Sequence, residues 1–180
     1  ALKGATARLA AFRAKHDIAA GRYTAAVSQL STAASKAPDD TRFKKDLANM
    51  YVGIAGHYKN EGADSLALSS FEKAYALDPT STIARDNVAA LSRTEGLAAL
   101  TSLNYERAVE YLEKAYDTHR LSDDYAKDLA RALDERGQRF VRSSDLDKAL
   151  ADLKRAVALD PSNSTIGQHY SDAYAKSLAS

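Results

Sequence analysis

Four alanines, Ala33, Ala74, Ala115 and Ala156, stand 41 residues apart, and the residues around them repeat as well. Phe71-Glu72-Lys73-Ala74-Tyr75, Leu112-Glu113-Lys114-Ala115-Tyr116 and Leu153-Lys154-Arg155-Ala156-Val157 are copies of one pattern. A second small column runs Ala26, Ala67, Ala108 and Ala149, and a large apolar column runs Leu30, Phe71, Leu112 and Leu153. Pro38, Pro79 and Pro161 share a column that only Arg120 interrupts. A fixed period of this kind means one supersecondary unit copied along the chain. A lone copy cannot bury its apolar side, whereas stacked copies bury each other's. The frame divides the chain into units 1–40, 41–81, 82–122 and 123–163, followed by a last helix at 164–180, all expected to form a single domain over residues 1–180.

Each unit reads as two helices. In the second, Phe43, Leu47, Met50, Tyr51, Ile54 and Tyr58 recur at three- and four-residue steps, which lays them along one helical face. A shorter helix follows at about 65–77 and stops at Pro79, which cannot continue it. Thr41, Thr82 and Asp123 stand where N-caps are expected, and Gly21-Arg22-Tyr23, Glu61-Gly62-Ala63-Asp64, Leu103-Asn104-Tyr105 and Ser144-Asp145-Leu146 where turns are. With only 8 Gly and 3 Pro in 180 residues, few breakers interrupt a chain of good helix formers. The expected fold is all-α: a right-handed solenoid of stacked antiparallel helix pairs with a C-terminal capping helix.

These columns resemble the tetratricopeptide family. The resemblance rests on Gly21-Arg22-Tyr23-Thr24-Ala25-Ala26, Ile54-Ala55-Gly56-His57-Tyr58 and Tyr105-Glu106-Arg107-Ala108, and on the small-residue column Ala14, Ala55, Gly96 and Gly137. That family repeats at about 34 residues, so each unit here carries about seven more. Seven residues are nearly two helical turns, only about 20° out of phase, so they lengthen the first helix without rotating its apolar face. First helices of about 20 residues, roughly 30 Å long, are predicted.

Charge and motif content exclude several functions. Twenty-five basic residues against 24 acidic give +1, without the basic excess of a typical nucleic-acid binder, and nucleic acid is not expected as a partner. The absence of Cys removes thiolate metal sites and disulfides. No apolar run reaches the roughly 20 residues of a membrane span. A chain opening on Ala1 is expected to be a fragment or a processed product, and its compartment is left open with the cytoplasm as the default. No phosphate-binding glycine loop, nucleophile elbow or His-Glu-x-x-His helix is present, so no enzyme activity, cofactor or metal is expected. His16 and His57 share a repeat column, which places them on successive layers roughly 10 Å apart, too far to share a metal. Asp39-Asp40 and Asp123-Asp124 lie at unit boundaries, where acids cap helices, and Asn163-Ser164-Thr165 reads as a cap before it reads as a glycosylation sequon. Tyr51, Tyr58, Tyr75, Tyr116, Tyr125 and Tyr174 fall in apolar columns and are expected in the core.

The resemblance implies that first helices line a concave groove and that particular non-core positions on them touch a partner. Carried over, those positions give Lys15 in the first unit, Asn49, Val52 and Lys59 in the second, Arg93, Leu97 and Leu100 in the third, and Arg131, Gln138 and Arg142 in the fourth. The full set of 20 positions holds six basic residues and one acid, beside an apolar strip that includes Ile18, Val52, Leu97, Leu100 and Val141. Such a surface suits an acidic, amphipathic protein or peptide segment. Arg93, Arg131 and Arg142 would supply charge, and Leu97 and Leu100 anchoring. The clamp with which some family members hold terminal carboxylates is not expected, because Ala11, Gly53, Ala90 and Thr94 stand at its positions. The expected function is a protein-interaction scaffold, monomeric as this fragment. The alternative is a structural spacer or self-assembling element. On that question Ile166, Tyr170, Tyr174 and Leu178 form one face of a last helix that reads as a cap.

Overall fold

The computed structural model describes residues 2–36 and 39–179. Among them lie nine α-helices and no strand: α1 (Leu2–Ala19), α2 (Tyr23–Ser35), α3 (Thr41–Asn60), α4 (Asp64–Leu77), α5 (Thr82–Thr101), α6 (Tyr105–Thr118), α7 (Asp123–Arg142), α8 (Leu146–Leu159) and α9 (Ser164–Leu178). From α3 on, the first helices of successive units begin 41 residues apart, and so do the second helices from α2 on. The helices α3, α5 and α7 are each 20 residues long, the length the seven-residue insertion predicts. The fold is all-α and built of helix pairs.

Contacts gather into two compact units, residues 1–88 and 89–180. In the first, α1 packs on α2, α2 on α3 and α3 on α4. Its core holds the columns read from the sequence: Ala26, Leu30, Ala33, Ala55, Ala67 and Ala74 are fully buried and Phe71 is 2% exposed. Tyr51 is buried too, and its hydroxyl meets the Ser31 hydroxyl at 3.1 Å, which satisfies the polar end of an otherwise apolar side chain. In the second unit α6 packs on α7, α7 on α8, and α9 on both α8 and α7. There Ala108, Leu112, Ala115, Leu129, Leu133, Ala149, Leu153 and Ala156 are fully buried. The small column has a steric reason. A Cβ at Gly96 would come within 2.6 Å of Leu112 Cγ, and one at Gly137 within 2.8 Å of Leu153 Cγ.

The turn inside each pair also repeats. Gly21, Gly62, Leu103 and Ser144 all have positive φ, at 70°, 72°, 59° and 62°. Glycine adopts this left-handed conformation without cost, while Leu103 and Ser144 hold it against a steric penalty.

Some expectations need correction. The N-caps lie one residue before Thr41, Thr82 and Asp123. The Asp40 carboxylate accepts from Arg42 N and Phe43 N, the Ser81 hydroxyl accepts from Ala84 N at 3.3 Å, and Ser122 occupies the cap of α7 without a side-chain bond. Thr41, Thr82 and Asp123 are the first helical residues. Asn163 does cap α9, accepting from Ile166 N. Tyr174 is 51% exposed and not core. One repeat earlier its column holds Leu133, buried in the pairing of α7 with α8; α9 has no second helix over that face among the described residues. Pro38, a member of the proline column, falls outside the described residues.

Candidate functional site

In the first unit Lys15 and Asn49 are exposed and Val52 is partly buried. Lys59 is exposed, and its ammonium donates to Asn87 Oδ1 at 2.8 Å.

On α5, two expectations change. Leu100 is 4% exposed and belongs to the core with Tyr105, Leu129 and Leu133, so it offers a partner no surface; Leu97 is half-buried against the same core. Arg93 is not a free cation. Its Nε donates to Asp128 Oδ2 at 2.5 Å and its guanidinium lies over the Tyr125 ring, 5.3 Å from the centroid. The hydrogen bond to Asp128 pushes the Arg93 pKa above its usual range, against the opposing effect of burial. This charge ties α5 to α7 and is already satisfied.

The expected residues that do come together lie on α7. Arg131, Gln138 and Arg142 are separated by seven and four residues, which keeps them on one side of the helix. That side meets α9. Pro161 ends α8, and Asp160, accepting from the Ser162 hydroxyl at 2.8 Å, shapes the turn into α9. On α9, Thr165, His169, Asp172 and Lys176 recur at four- and three-residue steps and face the same way. The two helices are joined by a buried acid: Asp134, 8% exposed, meets His169 Nδ1 at 2.9 Å and accepts from Gln138 Nε2 at 3.0 Å. With Nδ1 directed at the carboxylate, His169 keeps Nε2 for another partner.

Two cavities flank this contact. One, of about 260 Å³, is lined by Gln138, Val141 and Arg142 of α7 and by His169, Asp172, Ala173 and Lys176 of α9. The other, of about 420 Å³, is lined by Lys127, Asp128, Arg131 and Asp134 together with Asp160, Asn163, Thr165 and Ile166. Their acids already accept within the protein: Asp128 from Arg93, Asp134 from Gln138, Asp160 from Ser162 and Asp172 from Gln168. Lys176 donates to the Val141 carbonyl at 3.3 Å. Lys127, Arg131 and Arg142 have no hydrogen-bond or ion-pair partner among the described residues. The strip therefore carries unused donors beside the apolar atoms of Val141, Ala173 and Ile166, an arrangement fitted to acceptor groups on an extended or helical chain. Sequence reasoning missed His169 and Lys176 because it treated α9 only as a cap. The 41-residue step from α7 places Asp172 after Arg131 and could have extended the surface onto that helix.

Among the described residues no group of three or more His, Asp or Glu is placed to hold a metal, and no helix is long and apolar enough to cross a membrane.

Residues 93–164 match the tetratricopeptide repeat family. No curated protein matches the chain in sequence. Among solved structures, a TPR repeats protein from Bacteroides fragilis is 15% identical, with 94% of this chain and 98% of that one covered, at a TM-score of 0.51. MamA from Desulfovibrio magneticus is 19% identical over 96% of this chain and 85% of its own, at a TM-score of 0.33. PilF from Pseudomonas aeruginosa is 16% identical over 99% and 72%, at 0.38. Repeats of this family generally mediate contacts between proteins and are typically non-enzymatic. Residues 93–164 thus carry the tetratricopeptide repeat match, and the stacked helix pairs share the fold of the Bacteroides fragilis TPR repeats protein.

Proposed function

We propose that the chain is a protein-interaction scaffold that holds an acidic, amphipathic protein or peptide segment, with α7 and α9 as the principal surface. One observation carries this reading: the acids of the strip are engaged within the protein, while Lys127, Arg131 and Arg142 are not, and apolar atoms lie beside them. Lys127, Arg131 and Arg142 offer unpaired donors at short range to the carboxylates of an acidic chain, and the apolar floor holds it once water is displaced. Gln138 and the half-buried Leu97 extend the surface, and Lys15, Asn49, Val52 and Lys59 offer a second one in the first unit. Fluorescence anisotropy with three synthetic peptides tests the proposal: an acidic amphipathic sequence, its lysine-for-glutamate counterpart, and an acidic sequence without apolar residues. The first should bind at least tenfold more tightly than the others, and Arg131→Glu with Arg142→Glu should abolish the difference. Equal binding of the acidic and basic amphipathic peptides would remove the groove assignment.

A second reading, a spacer or self-assembling element, draws on the exposure of Tyr174 (51%) and Leu178 (74%) on α9. Against it, Leu178 stands in the column of Ala14, Ala55, Gly96 and Gly137, where a side chain crowds the second helix of the pair. Another pair could not close on α9 in the same way. Sedimentation over a concentration range separates the readings: a persistent monomer disfavours self-assembly.

A further inference from the structure

The two cavities of the α7–α9 strip share an organisation. One sets cations beside Asp128, Asp134 and Asp160, the other beside Asp172, all of which already accept hydrogen bonds from the protein, and the Asp134–His169 contact lies between them. Lys127 and Arg131 serve the first cavity, Arg142 and Lys176 the second. At about 260 Å³ the second is smaller than the roughly 300 Å³ at which pockets for drug-sized ligands begin, so it suits one side chain. Arg131 and Arg142 are eleven residues apart on one helix, about 16 Å at 1.5 Å per residue.

We propose that this strip is a two-point reader of acidic peptides. One carboxylate sits against Arg131 and Lys127, a second against Arg142 and Lys176, and the peptide between them crosses the Asp134–His169 contact in extended form. The inference rests on the groove reading above and adds what that reading lacks, a spacing. An extended chain covers about 16 Å in five or six residues, so the partner carries two acidic side chains at that separation. A helical partner would need them about eleven residues apart. Joining two weak carboxylate contacts on one stiff chain raises affinity through effective concentration, but only where the separation fits.

Polyproline peptides serve as rulers, because they rise about 3.1 Å per residue and return to the same side every three residues. Capped peptides carrying two glutamates three, six or twelve positions apart span about 9, 19 and 37 Å on one face; a fourth carries a single glutamate. Binding is measured by fluorescence anisotropy at low ionic strength. The six-residue ruler should bind at least tenfold more tightly than the other three. Arg131→Glu or Arg142→Glu should each reduce it to the level of the single-glutamate peptide, while Lys154→Glu, the same charge change at an exposed position of α8, should leave it unaltered. Circular dichroism confirms that each variant is folded. Equal affinity for single- and double-glutamate rulers would overturn the two-point reader and leave the acidic groove standing. So would binding of the amphipathic peptide of the preceding section without binding of any ruler. If neither ruler nor amphipathic peptide binds, both readings fall.

Discussion

Replacing Gly96 with alanine tests how closely the paired helices approach. In an exposed helix position, glycine to alanine is stabilising by about 1 kcal/mol, because alanine loses less backbone freedom on folding. Gly53 is such a position: it is exposed and a Cβ there would meet nothing within 4 Å. At Gly96 the new Cβ would lie 2.6 Å from Leu112 Cγ, 3.0 Å from its Cδ2 and 3.1 Å from its backbone nitrogen. Leu112 is fully buried and cannot swing clear. Overpacking of this kind costs about 1–3 kcal/mol, which outweighs the helical gain and leaves a net loss of about 1 kcal/mol. The two variants should thus differ by about 2 kcal/mol with opposite signs, or some 4–8 °C in thermal midpoint for a chain of this size. Urea unfolding followed by circular dichroism, with unchanged slope, is the assay. A double variant sharpens it: Leu112→Ala alone costs about 2–5 kcal/mol, but in its presence Gly96→Ala should lose most of its penalty. If Gly96→Ala stabilises as much as Gly53→Ala, the close approach of α5 and α6 is wrong.

Three further outcomes follow from named contacts. Leu103→Gly should stabilise by about 0.5–1 kcal/mol by relieving the positive φ of 59°, read as a raised thermal midpoint, whereas Gly62→Ala at φ 72° should lower it. Arg136 donates to both oxygens of Asp152, at 2.6 and 2.8 Å, and Asp152 is 9% exposed; Arg136→Ala should therefore cost about 3–5 kcal/mol in urea unfolding, and the Arg136→Met, Asp152→Leu pair far less. The Arg139 guanidinium beside Glu106 holds that carboxyl below its ordinary 4.5, so the pair's contribution is complete above that value and is lost as pH falls through the folded one. Because the pair is substantially exposed, the effect is about 0.2–1 kcal/mol, and Glu106→Gln should make the acid limb of stability correspondingly shallower.

The packing columns were legible because each is the same contact made again. Ala26, Ala67, Ala108 and Ala149 recur because every pair needs a small residue there, and all four are fully buried. Helix length was legible from the period, since seven residues preserve phase. The caps were missed by one residue because Asp40-Thr41 and Ser81-Thr82 each set two good capping types side by side, and only backbone geometry chooses between them. The candidate surface was legible only in part. Column position located Arg131, Gln138 and Arg142, but Leu100 turns into the core and Arg93 into Asp128, and those directions depend on neighbours many residues away. His169 became visible only once Asp134 on another helix was seen to hold it. The exposure of Leu66, at 53% beside buried Ala67 and Leu68, has the same origin: an apolar residue type does not say which flank its helix turns inward.

The central claim, that partners are held where α7 faces α9, is tested most directly by amide hydrogen exchange with and without the bound acidic amphipathic peptide. Protection should increase over residues 127–142 and 165–176 while the outward turns of α6 and α8 exchange as before. Protection confined to α6 and α8, or absent from both α7 and α9 in a demonstrably formed complex, would contradict it.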